Sequence, residues 1–272
     1  MADYLMRGAA PLTGEEWADL DAFVVRAVER RLVGRRILPL FGPLGAGVQV
    51  APVDALGTAA ASGGAGPVQR MVRTFAELRE LSQDFVLDWR DIELAHAGRL
   101  PLEFGPAGVA AAAVAWAEDQ LIFRGDADAG VPGLLTVRGR VEVSMSDWIE
   151  EGAFTNITRA IRTLQENDSP GPYALVVSPV GYATMERPYA NTGALEITLV
   201  RDLAADGVYQ SPVLNENEAL LLATGRHIAD LAVGADMAVA YIAPNGMDHL
   251  FRVVETIALR VKRPAGICTL VK

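Results

Sequence analysis

Apolar side chains are densest in residues 105–124, GPAGVAAAAVAWAEDQLIFR, where the first charge is Glu118. Four apolar residues share one face at helical spacing: Val109, Ala112, Trp116 and Phe123. Pro106 suits the first turn of a helix, and Gly125 suits the left-handed position that follows one. A helix that is apolar almost all round is buried between layers, so the pattern predicts a central helix, here called the spine helix.

Two further helices are predicted to be amphipathic. Thr13 and Glu16 form a capping box ahead of an apolar series that predicts a helix of about four turns ending near Gly34. That series is Trp17, Leu20, Val24, Ala27 and Val28. The second helix is predicted by Phe154, Ile157, Ile161 and Leu164. Pro179 opens a short helix, and residues 187–212 are predicted to be irregular because they are polar and interrupted by Gly and Pro.

Other segments show the patterns of strands. Alternation over residues 81–89 predicts a half-buried strand, and the apolar runs 173–177 and 219–223 predict buried ones. Residues 54–69, DALGTAAASGGAGPVQ, are too small and glycine-rich to form a core of their own. Together with the strand that follows, they predict a β-arm over residues 54–90 that projects from the body and packs on a neighbour.

A β-hairpin is predicted near the C-terminus. Asn245-Gly246 separates an apolar run over 237–243 from a second run that ends at Val261. Glu255 falls on the apolar face of the second strand, so its carboxylate needs a partner if it is buried.

Composition narrows the functional class. The 272 residues carry a net charge of −10, which argues against nucleic acid as a general partner. Cys268 is the only cysteine, so no intrachain disulfide can form, and a reducing compartment such as the cytoplasm is expected. The longest apolar run is shorter than the ~20 residues that a bilayer span needs, and no signal peptide is evident, so no membrane partner is expected.

No pattern typical of an active site is found. His96, His227 and His249 are far apart and lack further ligand-type residues at metal-binding spacing, so no metal site is predicted. Asp126 and Asp128 imitate the start of a calcium loop, but Val137 stands where the final glutamate would be. The expectation is a chain without catalytic residues or cofactor; an enzyme with a site assembled from distant residues is the alternative that this leaves open.

Several motifs in order resemble the linocin-like (family 1) encapsulins, the shell proteins of bacterial nanocompartments. They are Arg7–Thr13 with Trp17, Gly34–Arg36 with Gly42–Gly45, Phe85–Asp88, Glu118-Asp119 with Ile122–Gly125, Gly130–Leu134, Gly171–Tyr173 and Glu255-Thr256. No single motif is specific, but together they span nearly the whole chain.

The resemblance implies an α+β fold of the Hong Kong 97 phage-capsid type. Its parts map onto this chain as an N-terminal helix region (1–36), a peripheral domain (37–53), an extension loop (54–90), the peripheral spine helix (91–130), an axial domain (131–225) and a peripheral C-terminal sheet (226–272).

The resemblance also implies the function of a shell protein. Such chains assemble with copies of themselves into icosahedral shells, in multiples of 60 subunits. Those shells enclose cargo with a C-terminal targeting peptide, typically a dye-decolorizing peroxidase or a ferritin-like protein, and so serve iron storage or the response to oxidative stress. The alternative is the major capsid protein of a phage or prophage. The nanocompartment shell protein is favoured over the phage protein because the chain begins directly with the short helix and shows no scaffolding segment.

Site residues follow from the same resemblance. The matching cargo-peptide positions are Arg35, Ile37, Leu40, Val239 and Tyr241. Pro39 stands where the family has an acidic residue, so the polar contact that this residue makes to cargo in the family is not carried over to this chain. The expected pore lining is Asp202, Asp206 and Gly207, whose carboxylates would favour cations. Some members hold a flavin near a tryptophan; Trp89 is one position away from that place, so no flavin is expected.

Overall fold

Two five-stranded sheets and the helices that pack on them organise the described part of the chain. The structure is a computed structural model, and it describes residues 4–53, 74–146, 148, 152–189 and 193–272.

The elements that follow are those of the described residues. The helices are α1 Gly14–Val28, α2 Gly34–Ile37, α3 Trp89–His96, α4 Gly105–Phe123, α5 Ala153–Glu166, α6 Pro179–Met185 and α7 Glu196–Leu203. The strands are β1 Leu40–Phe41, β2 Val50–Val53, β3 Thr74–Glu77, β4 Arg79–Leu87, β5 Gly125–Asp126, β6 Val131–Pro132, β7 Val141–Ser144, β8 Tyr173–Val177, β9 Val208–Gln210, β10 Glu218–Ala223, β11 Ala229–Val233, β12 Ala238–Asn245, β13 Asp248–Val261 and β14 Ile267–Val271.

The long strand β13 is the centre of the first sheet. One edge of β13 pairs antiparallel with β4. The other edge pairs antiparallel with β12 along the first part of β13 and with β11 along its last part. The short strand β1 joins β11 in parallel. Helices α1 and α4 pack with this sheet around a cluster of aromatic rings, in which Phe251 lies 5.4 Å from Phe85 and 5.8 Å from Trp17. The burial of this cluster holds the two helices to the sheet.

The second sheet has the strand order β7-β14-β10-β8-β9. Every residue of β8 is buried, and α5 packs against β14, β10 and β7. Because β14 lies between β7 and β10, residues 267–271 belong to this sheet and not to the C-terminal part of the first one. The expected assignment of residues 226–272 to a single sheet is therefore wrong for β14.

The predicted β-arm is only partly described. Strand β4 pairs over its whole length with β13, so residues 79–87 lie in the body of the chain and do not project; that part of the prediction is wrong. Strands β2 and β3 form a separate two-stranded ribbon at the base of the predicted arm. The remaining arm residues, 54–73, lie outside the described residues.

The spine helix is confirmed as α4, but its exposed side differs from the prediction. Val109 is 74% exposed and Trp116 54% exposed, although both were expected in the buried stripe. The buried row consists of Ala107, Ala110, Ala111, Val114 and Ala115. Helix α1 packs on one flank and the sheet on another, which leaves the third side open. The small residues allow this close approach, since a Cβ on Gly108 would lie 2.8 Å from the Phe23 ring.

The other local predictions are partly confirmed and partly wrong. The Thr13–Glu16 capping box is present, but α1 ends at Val28, well before Gly34. The predicted hairpin is confirmed with its turn shifted by one residue, because Asn245 pairs with Asp248 and Gly246 takes the left-handed φ of 68°. Residues 187–212 contain α7 and β9, which their interrupted polar pattern did not indicate.

The packing of α4 generates a test. Ala111→Leu should destabilise the chain by about 1–3 kcal/mol, because the buried position has no room for three more carbon atoms. Ala113→Leu on the exposed side of the same helix is the matched control and should change little. Thermal unfolding monitored by circular dichroism measures both, and equal melting temperatures for the two variants would contradict this packing.

Candidate functional site

The short helix α2 is held against the C-terminal half of α4 by a buried carboxylate. Asp119 accepts hydrogen bonds from the backbone N–H groups of Val33, at 3.1 Å, and Gly34, at 2.8 Å. Gly34 has no side chain at the place where the Ile122 side chain lies, so the backbone can come this close to α4. Asp119 thus satisfies donors at the start of α2 that have no partner within the helix.

Arg35, the next residue, links four parts of the chain through one guanidinium. Its Nε lies 2.9 Å from the Glu118 carboxylate on α4, and its Nη2 lies 2.7 Å from Glu255 on β13. Its Nη1 lies 2.7 Å from Asp236, in the segment between β11 and β12. We call these four residues the Arg35 cluster. Since Glu118 and Glu255 are fully buried, only a charged, hydrogen-bonded partner makes their position tolerable.

The Arg35 cluster contains more negative groups than positive ones. Burial, and then repulsion from Glu118, raise the pKa of Glu255 well above its usual range. Burial is the largest single influence and opposes the charge of Arg35, but the hydrogen bond with Glu118, the attraction of Glu118 and Glu255 and the hydrogen bond with Asp236 together outweigh it and raise the pKa of the guanidinium. The neighbouring Asp119 shares the same low-dielectric surroundings, and burial raises its pKa to about 7. Glu255 and Asp119 therefore hold their protons to higher pH than ordinary carboxyl groups do.

The structure places the predicted cargo-peptide residues on α2, β1 and β12, and it buries three of their side chains. Ile37, Val239 and Tyr241 lie in the hydrophobic core, and a bound peptide could touch them only if that core opened. Leu40 is exposed, while the Arg35 charge is used within the chain. Docking of cargo at these residues stays a prediction, and of the five only Leu40 is exposed.

The N-terminal segment adds to the cover over Val239 and Tyr241. The Tyr241 backbone N–H donates to the carbonyl of Leu5 at 2.9 Å, and the Arg7 guanidinium donates to the carbonyl of Val239 at 3.0 Å. Arg7 also pairs with Asp21 of α1. Edge strand β12 is thus partly covered by the chain's own N-terminal residues.

The predicted pore residues lie near the end of α7 and on the loop between α7 and β9. Asp202 is exposed near the end of α7, and Asp206 accepts a hydrogen bond from the Thr224 hydroxyl. Gly207 has a φ of 111°, a conformation that favours glycine. Whether this loop lines a pore depends on contacts between copies of the chain and stays a prediction.

Other candidate chemistry does not converge in the described part of the chain. There, no group of three or more His, Cys, Asp or Glu side chains is arranged to hold a metal ion. Asp126 accepts a hydrogen bond from the Ala129 N–H, as in a plain turn. Burial raises the pKa of the Cys268 thiol to about 12, so little reactive thiolate forms. Among the described residues, no helix is both long enough and apolar enough to cross a membrane.

The sequence pointed to the acidic residues of the Arg35 cluster, but it did not indicate that Arg35 is their partner. It required a partner for Glu255, and it noted Glu118-Asp119 within an apolar helix, but it assigned Arg35 to cargo. The usable signal was the acidic residues themselves, because carboxylates within apolar stretches require a buried cation or backbone donors.

Comparisons with known proteins agree along the whole chain. The Linocin_M18 family model, described as an encapsulating protein for peroxidase, matches residues 2–258. The type 1 encapsulin shell protein EncA of Myxococcus xanthus is 45% identical, with 99% of this chain and 97% of the relative covered. A diheme-cytochrome-encapsulin shell fusion protein of Kuenenia stuttgartiensis is 40% identical over 94% of this chain and 72% of its own length.

Solved structures share the fold. A virus-like particle from Pyrococcus furiosus has a TM-score of 0.74 at 21% identity, covering 94% of this chain and 98% of the other. The capsid of Myoviridae phage XM1 has a TM-score of 0.56 at 11% identity, covering 82% and 83%. At these identities the likeness shows the fold alone, and it confirms the expected α+β capsid-like architecture.

The raised pKa values predict how stability depends on pH. Between about pH 4 and 7 the folded chain holds a proton on Asp119 that the unfolded chain has released, and the raised pKa of Glu255 acts in the same direction, so the free energy of unfolding falls as pH rises. Glu255→Gln imitates the protonated acid and should raise the melting temperature at pH 8 more than at pH 5. The exposed Glu103→Gln is the control, and an identical pH profile for wild type and Glu255→Gln would refute the account.

The cluster also predicts the cost of losing its cation. Arg35→Gln leaves Glu118 and Glu255 buried without a positive partner, which typically costs about 3–5 kcal/mol. Arg36→Gln removes an exposed arginine beside it and should cost little. Chemical denaturation of the two variants measures the difference; similar midpoints would mean that the Arg35 cluster contributes no stability.

Proposed function

The chain belongs to the linocin-like family of encapsulin shell proteins, and from this membership we propose that it assembles with copies of itself into a closed icosahedral compartment that encloses cargo enzymes. The observation that carries the proposal is the match to shell proteins from end to end, at 45% identity for the Myxococcus xanthus protein. Members of this family are structural proteins, and we infer that this chain supplies a container and no reaction of its own.

The surface of the single chain suits a subunit that is completed by its neighbours. Val109 and Trp116 lie exposed on α4, and Phe75 is exposed on the β2–β3 ribbon. Exposed apolar patches of this kind mark interaction sites, because leaving them in water is unfavourable. In a closed shell such patches are covered by other copies or by cargo.

The parts of a capsid-like subunit can be assigned on the same basis. The first sheet with α1 and α4 corresponds to the peripheral domain. Residues 131–225, joined by β14, correspond to the axial domain near the symmetry axes. The loop with Asp202, Asp206 and Gly207 then faces a pore, where its carboxylates would favour the entry of cations.

The phage alternative rests on the fold alone. Phage capsids share the architecture at 11% identity for phage XM1, whereas the shell proteins match in sequence as well. The sequence relationship therefore favours a nanocompartment over the major capsid protein of a phage.

The cargo follows from the family. The family model is described as an encapsulating protein for peroxidase, which supports a peroxidase as cargo. A ferritin-like protein is the second candidate, and either would carry a C-terminal targeting peptide. We place the compartment in the cytoplasm, with a role in iron storage or in the response to oxidative stress.

Electron microscopy of the purified protein tests the proposal. We expect hollow, closed particles with icosahedral symmetry and an ultraviolet spectrum free of nucleic acid. Small open oligomers would contradict the shell function, and particles filled with nucleic acid would favour the phage alternative. Mass spectrometry of proteins that co-purify with the particles from the native host identifies the cargo.

A further inference from the structure

The two-stranded ribbon of β2 and β3 has one face on the body and one face outward. Ala51 lies on the inner face, where it is fully buried against Ala232 and Ala258 of the first sheet. Residues that pair directly across two antiparallel strands have side chains on the same face, so Pro52 and its partner Phe75 share the outer one. Phe75 is 57% exposed there. Since two strands alone are at best marginally stable in water, the ribbon depends on the body for its position.

The apolar contact beneath the ribbon does not fix the direction of the ribbon. Its buried members are three alanines, Ala51, Ala232 and Ala258, together with Leu78, which directly follows β3. Hydrophobic burial depends on area and has no preferred direction, and alanine methyl groups are too small to interlock. Such a contact keeps the ribbon close to the sheet but allows it to slide or turn.

A buried arginine supplies a directional link between the first sheet and the ribbon. Arg260 lies on β13, and its Nη1 donates to the carbonyl of Pro52 on β2 at 2.6 Å. Its Nε and Nη2 donate to the carboxylate of Asp230, its cross-strand partner on β11, at 2.6 and 2.7 Å. The centre of the Phe41 ring lies 3.7 Å from the guanidinium carbon. Because the guanidinium is a rigid planar fork, these sheet residues also fix where its third donor points.

The ion pair with Asp230 does not by itself explain the contact with Pro52. Lys262 also reaches the Asp230 carboxylate, at 2.8 Å, so this buried acid has a second cationic partner. Arg260 is buried as well, and its Nη1 would lose an acceptor if the ribbon turned away. Leaving a buried, charged donor without an acceptor is unfavourable. The guanidinium therefore favours one direction of the ribbon over the others.

We propose that Arg260 is a positioning residue for assembly: it sets the direction in which the β2–β3 ribbon leaves the body, and with it the angle between neighbouring copies. This rests on the proposed shell function. Contacts between identical chains close into a shell only when the rotation from one copy to the next is correct. A ribbon whose exposed apolar face meets another copy must therefore point in a reproducible direction. The hydrogen bond from Arg260 to Pro52 provides that direction, which the alanine contact cannot.

A role confined to the first sheet is the alternative, and Arg252 shows what such a role looks like. It lies on the same strand as Arg260 and bonds the carboxylate of Asp84, its cross-strand partner on β4. Its Nε and Nη2 lie 2.6 and 3.0 Å from the two carboxylate oxygens. Both of these bonds lie within the sheet, so Arg252 is the matched control for Arg260.

Hydrogen exchange of the purified protein separates the two roles. Arg260→Lys keeps the charge and can pair with Asp230, but a lysine has no rigid fork that holds Asp230 and Pro52 at once. We expect amide exchange in β2 and β3 to become about tenfold faster, because a hydrogen bond from a charged group is lost, while exchange in β11 stays unchanged. Arg252→Lys should leave exchange in β2 and β3 as it is in the wild type.

Electron microscopy of the same samples reports on assembly. Wild type and Arg252→Lys should give closed particles of uniform diameter. Arg260→Lys should raise the share of open or unevenly sized particles about tenfold, because misdirected ribbons become more frequent by that factor.

A second variant tests the outer face of the ribbon. Val50→Ser combined with Phe75→Ser removes exposed apolar side chains from that face and leaves Arg260 in place. We expect this double variant to fold but to close fewer particles. If it closes normally and instead loses the cargo that co-purifies with the wild type, the ribbon meets cargo and the inference is overturned.

The outcomes separate this inference from the proposed function. Unchanged exchange in β2 and β3 of Arg260→Lys, equal changes in both arginine variants, or faster exchange with uniformly closed particles would each overturn the inference. If Arg260→Lys does not fold, Phe41→Leu replaces it, since it removes the ring that holds the guanidinium, and unchanged exchange in the ribbon then has the same meaning. If the wild type forms no closed particles, the shell function fails, while exchange in the ribbon still decides whether Arg260 positions it.

Discussion

The position of α2 between α4 and the first sheet depends on buried carboxylates that require positive charge or backbone donors. Asp119 holds the start of α2 through two N–H groups, and Arg35 ties the same helix to Glu118, Glu255 and Asp236. A hydrophobic contact could slide, whereas a guanidinium shared by three carboxylates fixes distance and direction. The junction between α1 and the sheet strand β1 is set by this arrangement.

Helical spacing and strand alternation predicted most of the elements, because those patterns reflect local burial. The spine helix, the capping box at Thr13 and the C-terminal hairpin are examples. The orientation of α4 could not be obtained this way, because alanines lie on every side of it and the sequence pattern does not distinguish one side from another. Its exposed side is determined by α1 and β4, which are distant in sequence.

The candidate site shows the same limit. The need of Glu255 for a partner could be predicted from its own position in an apolar strand, and that prediction is confirmed. The identity of the partner is a property of the fold, since 220 positions separate Arg35 from Glu255. The family resemblance supplied the function, but it assigned Arg35 to a ligand when the structure uses that charge internally. Helix α7 was missed for a different reason: it has only eight residues, too few for a clear period.

The strand order of the second sheet has a consequence for the timing of folding. Strand β14 lies between β7 and β10, so neither can complete its pairing until residues 267–271 have left the ribosome. During synthesis, the edges of β7 and β10 that later pair with β14 remain unpaired, and open strand edges invite pairing with other chains. A polysome making this protein thus carries many identical nascent chains with matching open edges close together. Strand β14 prevents pairing between the open edges of neighbouring nascent chains only after it has been synthesised and has paired with β7 and β10.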